Sequence, residues 1–152
     1  MNITPNFTLE EMTKSDTARQ RGILNQPNYI EINNLTRLCK ELLQPIRDAY
    51  GKPITVTSGF RNEALNKAVG GSSTSMHRKG LAADFVASDG KNKVLWDVIM
   101  KLHNEGKLPF DQLIWEKGTK SAPAWIHIGL NENKMRNQIL RYENNAYKPY
   151  KA

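Results

Sequence analysis

A chain of 152 residues is the length of one domain and can bury about two thirds of its unfolded surface in a single core. Hydrophobic residues at 39% and charged residues at 24% exclude a disordered or membrane-embedded chain, and no apolar run approaches the roughly 20 residues of a spanning helix. The formal net charge of +7 favours a polyanionic partner such as nucleic acid, an anionic cell wall or an acidic membrane face.

The start of the chain, "MNITPNFTLEEM", has neither a basic beginning nor an apolar core, so no secretory signal is expected. Thr8 followed three residues later by Glu11 is a capping-box pattern and predicts a short first helix. The polar stretch "SDTARQRGILNQPN" reads as a loop. Ile32, Leu35, Leu38, Leu42, Ile46 and Tyr50 recur at three- and four-residue steps, predicting a long amphipathic helix that Gly51 stops and Pro45 kinks or shifts in register. Cys39, the single cysteine, lies on that helix in "LTRLCKELL" and reads as a buried structural thiol; one cysteine excludes an internal disulfide and a thiolate metal cage.

"ITVTSGF" predicts a short strand, "RNEALNKAVGG" a short helix ended by glycine, and "GSSTSM" a loop. "LAADFVA" alternates as a strand, "NKVLWDVIMKLHNEG" is helical up to Gly106, and "DQLIWE" and "AWIHIGL" are two further strands joined by the hairpin loop "KGTKSAP". His103, near the end of the second long helix, reads as structural, stabilised by the helix dipole. In the last 22 residues only "QILRY" stands out, as an edge strand. The order of elements predicts one α+β domain, residues 1–152, with a mostly antiparallel sheet packed with helices.

Strand geometry gives "SMHRKGLAAD" its interest. Leu81, Ala83 and Phe85 share one face, Ala82 and Asp84 the other, and Gly80 lets the chain turn sharply so that His77 reaches back over Asp84. In "AWIHIG", Trp125, His127 and Gly129 face away from Ile126 and Ile128. Two histidines and a carboxylate can hold a catalytic zinc ion with a fourth position open, although a strand histidine can equally be structural, and spacing alone leaves both readings open.

"S-x-H-x-x-G-x-A-x-D", carried by Ser75, His77, Gly80, Ala82 and Asp84, with a later "W-x-H" at Trp125 and His127, resembles the zinc D-Ala-D-Ala carboxypeptidase family. That family includes vancomycin-resistance dipeptidases and phage endolysins and shares its fold with the signalling domain of Hedgehog proteins. "FTLEEMTKSDTARQRGI", "NLTRLCKELLQPIR" and "VTSGFRNEALNKAVGGSSTSMH" resemble its phage and prophage branch, so the likeness covers about residues 6 to 130. It implies one Zn²⁺ held by His77, Asp84 and His127, with Arg61 and Ser75 at the substrate and Trp125 walling the site. The better-known branches carry an acidic residue often three positions before the last histidine, where this chain has Ala124. The nearest upstream carboxylate, Glu116, becomes the candidate base if strand register turns it to the face of Trp125 and His127; Asp111 is a second candidate.

The resemblance implies a zinc peptidase acting on bacterial peptidoglycan peptides, expected as a monomer; the lack of a signal peptide suits a protein made in the cytoplasm and released by phage lysis machinery, and equally one carried in a virion. Two other readings stand beside it. One is a zinc-stabilised binding module without catalysis, including a virion-associated wall-binding protein. The other is a basic nucleic-acid-binding domain, which the scattered lysines and arginines and the absence of a nucleic-acid motif argue against.

Overall fold

The computed structural model covers residues 1–152. A two-stranded N-terminal hairpin, β1 (Asn2–Thr4) and β2 (Phe7–Thr8), leads into helix α1 (Leu9–Thr13). The Thr8 hydroxyl caps α1 by accepting the Glu11 amide at 3.0 Å, as the sequence pattern predicts. The stretch expected to be loop contains a helix, α2 (Asp16–Arg21), capped by Ser15 and ended by Gly22 in the left-handed region at φ 67°. Only Ala18 of α2 is buried, so the helix has caps but no apolar stripe for a periodicity argument to find.

The long amphipathic helix forms in two parts, α3 (Tyr29–Leu38) and α4 (Gln44–Tyr50), joined without a break by a π-helical turn over Cys39–Leu43. Pro45 has no amide hydrogen and cannot continue the ordinary ladder; the widened turn just before it, in which the Gln44 amide donates to the Cys39 carbonyl, absorbs the mismatch. Leu38, Cys39, Leu42, Leu43 and Ile46 are consequently all buried on one side. Burial, and secondarily the charge of Glu11, pushes the Cys39 thiol up to about 12, which makes it an inert core residue.

The remaining elements are β3 (Ile54–Ser58), α5 (Glu63–Ala68), a 3₁₀ turn (Met76–Lys79), β4 (Ala82–Ala87), α6 (Asn92–Asn104), β5 (Gln112–Glu116), β6 (Trp125–Gly129), β7 (Gln138–Glu143) and β8 (Ala146–Pro149). Six strands form one sheet in the order β3-β4-β6-β5-β7-β8, antiparallel except where β5 pairs with β7 in parallel. The α+β expectation therefore holds. One face of the sheet carries Phe85, Ile126, Ile128, Leu113 and Trp115, which join Leu35, Leu38, Leu42, Trp96 and Ile99 from the helices in the core. No helix is long and apolar enough to cross a membrane.

β7 is not the edge strand expected from "QILRY": it lies between β5 and β8, and β8 forms the edge. The turn between β7 and β8 uses Asn144 and Asn145 at φ 52° and 60°, a two-residue connection whose left-handed conformation asparagine tolerates. His103 is structural as expected, with Nδ1 at 2.8 Å from the Leu108 carbonyl and its ring stacked on Phe110.

Candidate metal centre

The sheet face away from the helices collects the candidate site residues through register. Asp84 on β4 pairs with His127 on β6, and Gly129 pairs with Ala82, so two small residues flank the carboxylate–imidazole pair. On the next strand Ile114 pairs with His127 and Glu116 with Trp125. Glu116 thus shares the face of Trp125, His127 and Asp84, as its candidacy required.

His77 comes from the 3₁₀ turn. The Ser75 hydroxyl caps that turn, accepting the His77 amide at 3.2 Å and the Arg61 guanidinium at 3.4 Å. Gly80 closes it at φ 75°, the sharp reversal expected between His77 and the strand. The His77 ring is buried and donates from Nδ1 to the Gly59 carbonyl at 2.7 Å, which leaves Nε2 with its lone pair toward Asp84.

Three donor atoms converge. His127 Nδ1 lies 2.8 Å and His77 Nε2 3.4 Å from the same Asp84 oxygen, and one ligand atom from each of the three residues falls within 4.8 Å of the others. Tetrahedral zinc with bonds of about 2.0–2.1 Å separates neighbouring ligand atoms by about 3.3 Å, close to the His77–Asp84 spacing. Histidine nitrogens with one carboxylate are a donor set that zinc favours in sites with an open position. The residues present therefore fit the ion.

The electrostatics agree. Burial would raise the Asp84 carboxyl, but the hydrogen bond from His127 and the His77 imidazole packed against it outweigh burial and hold Asp84 well below the usual carboxylate range. Burial lowers His77, only partly offset by Asp84, so it stays a neutral donor. Glu116, 7% exposed, is pushed up to about 6 by burial; the Asp84 charge adds to this, while His127 and Lys117 oppose it.

Arg61 approaches from the β3 side. Its amide donates to the His77 carbonyl at 3.0 Å, its guanidinium is partly desolvated and lowered by burial against the pull of Asp84, and its buried Nε has no protein partner. It borders a polar cavity of about 270 Å³ lined also by Lys14, Ser15, Thr57 and Ser58. Trp125 is half-buried beside Glu116, with the Lys117 ammonium 5.7 Å from its ring centroid. Asp111 stands apart: Arg136 grips both its oxygens at 2.9 and 2.8 Å, and the pair ties the C-terminal segment to β5. That grip removes it as a rival to Glu116.

Sequence reasoning missed three positioning residues. Gly59 supplies the carbonyl that orients His77, and a side chain there would collide with the Met12 carbonyl at the end of α1. Asn25, in the stretch read as loop, donates to the carbonyls of Thr13 and Phe60 and accepts the Asn62 amide, clamping the segment that carries Arg61. Asn92 accepts the Ala87 amide and donates to the carbonyls of Pro123 and Ala124, fixing the β5–β6 hairpin against the end of β4. Each acts through contacts far apart in sequence, with no local pattern to mark it.

The chain is 40% identical over 83 residues to a zinc D-Ala-D-Ala carboxypeptidase from Streptomyces albus G, a match covering 54% of this chain. That stretch spans 31% of the relative, so the likeness takes in about a third of the relative's length. The family model of Peptidase M15 matches residues 5–129, a span that holds every residue of the cluster just described, and the chain belongs to that family.

Proposed function

We propose that the protein is a zinc metallopeptidase that hydrolyses amide bonds in the peptide part of bacterial peptidoglycan. The observation that carries the reading is the shared sheet face on which His77, Asp84 and His127 converge while Glu116, one strand away, keeps a carboxyl poised at about 6. The family membership and the carboxypeptidase relative support the chemistry, and the net charge of +7 supports action at an anionic wall.

His77, Asp84 and His127 would hold one zinc ion, which when bound would supply an acidified water and a Lewis acid for the scissile carbonyl. Glu116 accepts the proton of the attacking water and returns it to the leaving amine. Arg61, its guanidinium steadied through Nη2 on the Ser75 hydroxyl, holds the developing oxyanion or the substrate carboxylate. Ser75 keeps both His77 and Arg61 in place, and Trp125 walls the site next to Glu116. Incubation of purified muropeptides with the protein tests this: cleavage is expected to stop on chelation and return with one equivalent of zinc. Muropeptides left intact by the zinc-loaded protein would favour a zinc-stabilised binding module.

A further inference from the structure

The C-terminal hairpin lies outside residues 5–129, the span that defines the family, yet it extends the metal-bearing face of the sheet. Trp125, Glu116, Tyr142 and Tyr147 are successive register partners on β6, β5, β7 and β8, so they form one row across four strands. At about 4.8 Å per strand, Tyr142 stands next to Glu116 and Tyr147 about 10 Å from it. The two tyrosine rings are 4.5 Å apart, and Tyr147 is 57% exposed, although it takes no part in the core. The row is firmly placed: the Lys117 amide donates to the Tyr142 carbonyl at 2.8 Å, Gln112 bonds Gln138, and Arg136 grips Asp111.

We infer that Tyr142 and Tyr147 form a substrate subsite particular to this chain, receiving the part of the peptide that lies on the Glu116 side of the scissile bond, away from Arg61. The inference rests on the peptidase reading above. Ring faces of this kind pack against the methyl groups and amide planes of an extended stem peptide, and they continue the surface that starts at Trp125. The Tyr147 phenol is raised by partial burial first and then by the charges of Glu116, Tyr142 and Asp84, in keeping with a ring that overlooks the same cleft.

The test is the binding of a synthetic stem pentapeptide to zinc-loaded Glu116→Gln protein, in which turnover is suppressed. Adding Tyr147→Ala is expected to raise Kd about tenfold, the loss of one aromatic anchor. Tyr147→Phe should stay within about twofold, and Lys148→Ala, pointing to the other face of β8, should match the parent. If the alanine variant unfolds the hairpin, Tyr147→Thr keeps strand propensity and carries the same expectation. Parent affinity retained in both the Tyr147→Ala and Tyr142→Ala proteins, or no measurable binding by the parent, overturns the subsite. Turnover by the unmodified protein is scored separately. Ring-dependent binding without turnover would overturn the peptidase and keep the subsite; turnover with ring-independent binding would do the reverse.

Discussion

Glu116 is where local chemistry decides most. Its side chain is buried at the end of a strand whose three preceding residues are apolar, with a carboxyl pushed up to about 6 chiefly by loss of solvent. As a base it must be ionised, so kcat/KM is expected to rise with pH along an acid limb and level off above about 6, with bound zinc drawing the limb lower. Glu116→Gln should retain zinc, lose the limb and reduce kcat by about 10²–10⁴-fold. Stability runs the opposite way. Because the folded value exceeds the ordinary 4.5, the metal-free protein is most stable below that value and loses stability as pH rises toward 6. Denaturant melts of metal-free Glu116→Gln at pH 7.5 should therefore show a gain, at most about 1 kcal/mol after solvent screening. A loss of stability there would mean that the carboxylate is held by a favourable partner.

Among the elements, the short turn that carries His77 is the most constrained. Gly80 closes it at φ 75°, and a Cβ there would stand 2.7 Å from the Glu31 carbonyl on α3. Gly80→Ala is expected to cost about 2–3 kcal/mol in thermal or denaturant unfolding and to weaken zinc binding, because the turn cannot relax without moving the ligand. Wild-type zinc affinity in that variant would show that the turn does not govern the ligand. Strands such as β4 and β6 were legible in the sequence because their apolar and polar residues alternate, and the long helix because its leucines recur at helical steps. The π turn was legible only as a consequence of Pro45, and α2 not at all, since its caps enclose no apolar stripe. The side assignment of Glu116 depended on register, which the spacing of the two strands left open by one residue.

Across the whole molecule, the candidate metal centre joins distant segments, a turn following α5 and two central strands, and the proposed subsite adds a C-terminal hairpin that the sequence marks only faintly. Asp111 and Arg136 hold that hairpin to β5, the guanidinium keeping the Asp111 carboxyl below its ordinary value through hydrogen bonds that outweigh burial. Arg136→Ala should cost about 1–3 kcal/mol by leaving a nearly buried carboxylate without its guanidinium and with only the residue-136 amide as donor, with faster amide exchange in β7 and β8 than in β4. The metal links these parts thermodynamically. Zinc at 100 times its Kd is expected to add about 2.7 kcal/mol, so chelation should lower Tm by about 5–10 °C, and His77→Ala should abolish the difference.

The most direct test is mass spectrometry of fragments released from purified peptidoglycan by the zinc-loaded protein, beside Glu116→Gln protein of equal zinc content. New amino and carboxyl ends that arise with the intact protein and fall at least about 100-fold with the variant are the expected result. Walls that yield no new ends from a protein holding one zinc, or equal ends from both proteins, would contradict the assignment of this face as a peptidase site with Glu116 as its base.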